Sequence, residues 1–161
     1  NVADMYLVAL GMLLLSVGFM GLLVRYGAES GQFGRLWLGL GAVSGLVSAI
    51  GATGLGIFDS NPWWSMFFFG MAANFLAMAL FGVLCLRGRL LPKWNGLPLL
   101  AGMWVPLFLM ISILYEVISD GWLELPDAVF GLIWTLSLIG IAGVGYLLQA
   151  DNPSQSTLKS V

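Results

Sequence analysis

The chain has 161 residues, of which 60% are hydrophobic and only 9% charged, against roughly 25% charged in an ordinary soluble domain. Its mean hydropathy is +0.97, which excludes a water-soluble single domain. Six Lys and Arg against eight Asp and Glu give a net charge of −2, so there is no basic field for nucleic acid.

Five long apolar stretches lie at about 4–24, 36–58, 62–86, 96–118 and 127–149, each about 30 Å of helix at 1.5 Å per residue. The fold expected is an all-α integral membrane protein. Residues 1–150 read as a single bundle of five transmembrane helices with short loops and no soluble domain. Residues 151–161 read as a polar, flexible cytoplasmic tail. The runs are too long for strands and lack period-2 alternation, which disfavours a barrel.

Residues 1–24 lack the basic n-region and small-residue cleavage site of a signal peptide, so they read as a true span. The first residue is Asn1, and an upstream segment carrying one more helix would make six spans in the full-length product. Gly11, Gly18 and Gly21 suggest a contact stripe on this first helix.

The second span holds a glycine-rich string between Gly39 and Gly56. It has no preceding strand and no nearby Lys, so a phosphate cradle is a poor reading. Gly41 and Gly45 form a GxxxG pair that Ala49 and Ala52 continue, a stripe along which another helix can approach closely. Whether that helix belongs to this chain or to another subunit stays open.

Asp59-Ser60-Asn61-Pro62 offers an N-cap and an early proline for the third span. Asn74 is the most polar residue deep in that span, and an unsatisfied amide in hydrocarbon costs several kcal/mol. It is expected to bond across helices, with Ser44, Ser48, Ser112 or Thr135 as candidate partners, or else to contact a ligand or ion.

Asn95-Gly96 precedes the fourth span, where Pro106 removes the hydrogen bond to the Gly102 carbonyl and predicts a kink near 102–106. Trp104 lies there, well inside its helix, as Trp134 does in the fifth span. Asn74, Trp104, Pro106 and Trp134 are the candidate ligand-pocket residues. Glu116 is close enough to the end of its span to reach the interface. No second carboxylate, Lys or His stands at mid-depth to form a proton or cation relay. In the fifth span Gly140 and Gly143 suggest another packing stripe.

Arg25, Arg35, Arg87, Arg89, Lys93 and Lys159 all fall on one side of this layout, which the positive-inside rule makes cytoplasmic. Connectors 25–35 and 87–95 and the C-terminus are therefore expected inside and residue 1 outside. Asp4, Asp59, Glu116, Asp120, Glu124 and Asp127 fall on the outer side, where they could attract a basic partner. Trp37 and Trp94 fall near the inner boundary and Trp63, Trp64 and Trp122 near the outer one, as interfacial belts require. A bacterial plasma membrane fits this pattern, as would an organelle membrane.

One cysteine and no histidine remove internal disulfides, CxxC motifs, Ser–His and Cys–His catalysis, and the usual zinc, copper and haem ligand sets. The chain is not expected to be an enzyme or to hold a cofactor or metal, beyond bound lipid or a pigment or quinone contributed by a partner. In length, span number and tryptophan content it is loosely similar to the tryptophan-rich sensory or translocator proteins, five-helix binders of porphyrins and related ligands. The expected proline- and tryptophan-rich first connector is absent from residues 25–35, and Asn61-Pro62-Trp63-Trp64 falls one connector too late. No family is assigned from that outline.

The leading expectation is a non-catalytic multi-pass subunit that packs into and stabilises a larger membrane assembly, such as an energy-converting complex. Its partners would be other integral membrane subunits and lipids. The alternative is a stand-alone binder or transporter of a small apolar or aromatic ligand, with an ion channel third.

Overall fold

The computed structural model describes the backbone of residues 2–58, 60–91, 94–119 and 127–150. It leaves undescribed the side chains at 116–117, 119, 127–131, 133–134, 138 and 147–150. Over these residues the chain forms five α-helices: α1 (Val2–Tyr26), α2 (Gly31–Phe58), α3 (Asn61–Gly88), α4 (Leu97–Ser119) and α5 (Asp127–Ala150). Each helix matches one expected span and runs up to five residues past it. The apolar run marks only what lipid would cover, whereas backbone bonding continues into polar ends such as Arg87. α1, α2, α3 and the stretch Leu97–Tyr115 of α4 are each long and apolar enough to cross a membrane, and Thr135–Tyr146 of α5 is a shorter apolar stretch. Residue 1, Trp122, the tail 151–161 and the side chains of Glu116 and Trp134 lie outside the described residues.

The turns follow from local chemistry. Gly31 opens α2 at φ 69, a left-handed conformation that costs glycine little. Ser60 caps α3 in extended conformation without a side-chain bond, and its carbonyl accepts the amides of Trp63 and Trp64 at 3.1 and 3.3 Å. Beyond α3, Arg89 and Trp94 both have positive φ. Asn95 Oδ1 accepts the Leu91 amide at 2.8 Å, closing the turn into α4. Pro106 lies within α4, which is helical on both sides of it.

All the extensive helix contacts join helices adjacent in sequence: α1 to α2, α2 to α3, α3 to α4 and α4 to α5. The helices alternate in direction, since Gly54 faces Trp63 at one end of the α2–α3 pair and Gly34 faces Leu84 at the other. One apolar cluster, with Phe19, Leu38, Phe81 and Cys85, lies toward the end carrying Arg25, Arg35, Arg87 and Arg89. A second, with Met12, Ala49, Phe67, Met71 and Val105, lies toward the opposite end.

Glycines set how near these helices come. A Cβ at Gly51 would stand 2.5 Å from the Phe67 nitrogen, and one at Gly70 would stand 2.7 Å from the Ser48 nitrogen. At Gly102 it would stand 2.6 Å from the Phe75 carbonyl oxygen, and at Gly140 it would stand 2.6 Å from the Ala101 Cα. Gly82 lies closer still to the Leu99 backbone. All of these are below the 3.0 Å that real Cβ contacts respect. The obstacles are main chain and cannot rotate away, so only glycine permits this spacing.

Gly70→Ala and Gly82→Ala should therefore each lower unfolding stability by about 1–3 kcal/mol through overpacking. Gly18→Ala and Gly39→Ala, where a Cβ meets nothing within 4 Å, should be neutral or stabilising. Detergent-titration unfolding of the four variants measures the contrast.

Candidate functional site

The buried polar groups sort into those that fasten the bundle and those left over. Ser16 Oγ on α1 donates to the Ala42 carbonyl on α2 at 2.6 Å. Asn74 Nδ2 on α3 donates to the Gly41 carbonyl at 2.8 Å, and Ser44 Oγ donates to the same oxygen at 3.1 Å. In the reverse direction, Ser48 Oγ on α2 donates to the Phe67 carbonyl on α3 at 3.1 Å. A carbonyl oxygen has two lone pairs, so a helix carbonyl can take a further donor wherever one can reach it. Glycine supplies the access: a Cβ at Gly45 would lie 3.0 Å from Ser16 Cβ and 3.1 Å from Asn74 Nδ2. α2 is thus joined by hydrogen bonds to both of its neighbours.

This arrangement gives Asn74, which is fully buried, a backbone partner in place of the Ser44, Ser48, Ser112 or Thr135 side chains expected. Side-chain types in a sequence do not reveal which carbonyl a missing Cβ will uncover. Gly41 and Gly45 lie on the α1–α2 interface, with Gly41 against the Phe19 ring, and Ala49 and Ala52 are buried along the same helix. Gly140 packs on Ala101 and Gly143 on the Leu97 side chain, both on α4. Gly11, Gly18 and Gly21 differ from these, for a Cβ at any of them meets nothing within 4 Å.

Pro106 borders a shallow groove of about 500 Å³ between α3 and α4, lined also by Phe69, Leu76 and Met110 and by neither Asn74 nor Trp104. Trp104 is half-buried, and its indole Nε1 is buried without a hydrogen-bond partner.

A different cavity, of about 540 Å³, opens where α1 and α5 fail to close over α3. α1 contributes Val8, Gly11, Met12, Leu14 and Leu15, α3 contributes Phe67, Met71 and Phe75, and α5 contributes Ser137 and Ile141. Ser137 has the only polar side chain among these described lining residues. It is fully buried, and its Oγ has no hydrogen-bond partner among the described residues. A lone serine in an apolar helix usually bonds its own helix's carbonyls, as Thr53 does with Ala49 at 2.9 Å. Sequence reasoning therefore had no reason to single out Ser137, and the space between two helices far apart in sequence leaves no local mark.

Among the described residues no group of three His, Cys, Asp or Glu comes together to hold a metal ion. No family model, curated protein or solved structure matches the chain.

Asn74→Ala should cost about 0.6–1.7 kcal/mol, the range for hydrogen bonds between helices in lipid. Combining it with Ser44→Ala should cost less than the sum of the two, because both donors share the Gly41 oxygen. A double-mutant cycle on unfolding midpoints checks the coupling.

Proposed function

We propose that the chain is a non-catalytic multi-pass membrane subunit that packs into a larger assembly through the outward face of α1. Helix–helix association in lipid depends on close packing of small residues rather than on apolar surface. Gly18, Gly21 and Arg25 recur at intervals of three and four along α1, beyond the part that lines the cavity beside α5, the seam spacing of a helix that receives a partner. Among the described residues a Cβ at Gly18 or Gly21 meets nothing within 4 Å, so each carries the propensity cost of about 1 kcal/mol against alanine with no internal return. α1 is peripheral, with 28% of its most apolar window buried, as in α4, against 56% in α2 and α3, so its outward face is open to a partner.

The rest of the reading is topological. The helix ends bearing Arg25, Arg35, Arg87 and Arg89 share one end of the bundle, and we assign that end to the cytoplasmic side of a plasma membrane by the positive-inside rule. Asp4 starts α1 at the other end, where a basic partner would find complementary charge.

The observation that carries the proposal is the unfilled glycine seam on α1. Gently extracted from its own membrane, the wild-type chain should migrate in native mass spectrometry with other membrane subunits at fixed stoichiometry. Gly18→Leu combined with Gly21→Leu should release it while leaving its unfolding midpoint unchanged or raised. A monodisperse, stable, free monomer from the same membrane overturns the proposal.

A further inference from the structure

We propose that the turn between α3 and α4 binds the headgroup of an anionic phospholipid, with the lipid phosphate on the Arg87 and Arg89 guanidinium groups and the Trp94 indole at the level of the headgroup. This rests on the assignment of the arginine-bearing end of the bundle to the cytoplasmic side of a membrane, and not on the packing of α1 against a partner. Four described arginines share that end, and they are of two kinds. Those at the α1–α2 turn have partners within the chain: the Arg25 guanidinium lies 5.5 Å from the centre of the Tyr26 ring, and Arg35 Nε donates to the Gly27 carbonyl at 2.8 Å. Glu29, the one acid described at this end, also belongs to that turn. Arg87 and Arg89 are exposed, and among the described residues they make neither a hydrogen bond nor an ion pair.

The backbone of the α3–α4 turn presents these groups at a cost. Arg89, which caps the end of α3, has φ 48 and ψ 43, and Trp94 has φ 60. Among the described residues they are the only two outside glycine with positive φ. Glycine takes this conformation most cheaply, and the α1–α2 turn uses Gly31 for it. Shape alone would be met by glycine at 89 and 94, so the two strained positions carry a cation and an indole that the turn itself does not require. Between them Leu91 is buried in the core and its amide is held by Asn95 Oδ1 at 2.8 Å, which anchors the turn while Arg89 and Trp94 stay exposed.

Charge and depth select the partner. A guanidinium fork matches phosphate oxygens in two parallel hydrogen bonds, and an indole settles where an apolar ring face and one N–H donor are both accommodated, at the headgroup level. Leu86, exposed beside Arg87 on α3, offers apolar surface to an acyl chain. Soluble phosphate would use the arginines alone, whereas a phospholipid uses all three features. In a choline lipid the headgroup's own cation offsets the phosphate, so the anionic headgroup is the better fit.

The site is tested on the full chain in nanodiscs of equal parts phosphatidylglycerol and phosphatidylcholine with matched acyl chains, counting the lipids retained on the chain by native mass spectrometry. Wild type should retain phosphatidylglycerol over phosphatidylcholine by about fivefold for each of the two arginines, and less as salt rises. Arg87→Gln combined with Arg89→Gln should abolish the preference. Arg89→Gly should reduce it by about fivefold while unfolding at or above the wild-type midpoint, a combination that a merely structural arginine would not give. Arg25→Gln, at the same end but outside the turn, should keep the full preference. The proposal is overturned by equal retention of the two lipids, by the same loss in Arg25→Gln as in the Arg87 and Arg89 variants, or by displacement of phosphatidylglycerol with inorganic phosphate, which would mark a site for the free anion. A chain that does not enter the discs overturns the membrane assignment and this proposal with it, whereas normal entry without lipid preference overturns this proposal alone.

Discussion

Close approach of main chain to main chain is the contact on which this bundle depends. In a membrane, lipid would be as apolar as the helix surfaces, so burying leucines against one another would gain little there, and the helices would have to be joined by dispersion at short range and by hydrogen bonds. Gly51 and Gly70 meet that requirement between α2 and α3, Gly82 and Gly102 between α3 and α4, and Gly140 between α4 and α5. The short-range hydrogen bonds follow from the same spacing. Ser16, Ser48 and Asn74 reach backbone carbonyls on neighbouring helices because the helices stand close enough for short side chains to span the gap.

The apolar runs made the helices legible, because length and hydrophobicity alone distinguish about 30 Å of lipid-compatible helix. The helix limits were nearly so, through Pro62 and Asn95-Gly96. The GxxxG stripe at Gly41 and Gly45 was also readable as a packing surface. Its neighbour was not, since a stripe of small residues is equally suited to any helix, and here α1 supplies Phe19 and Ser16 against it. The α1 glycines carry the same sequence signal, yet among the described residues a Cβ at any of them meets nothing within 4 Å. Facing direction is a property of the assembled bundle that no single helix encodes.

The candidate site was less legible than the fold. Asn74 drew notice as an amide in hydrocarbon, and that oddity has a structural outlet in the Gly41 carbonyl. Ser137 looked ordinary, yet its hydroxyl is buried and, among the described residues, unpartnered. Polar residues in lipid are conspicuous by type, but what distinguishes a fastener from a contact point is whether a partner atom lies within reach. That depends on helices brought together from residues 8–15, 67–75 and 137–141.

The order of helix contacts bears on how the bundle is made. Among the described residues every extensive interface joins a helix to the one before it, so a helix added in chain order would find its docking surface already formed. Such local connectivity keeps chain-closure costs small and favours rapid assembly. Growth by successive addition has a further result: the first and last helices never need to meet, and a lateral opening between them requires no later step to create it.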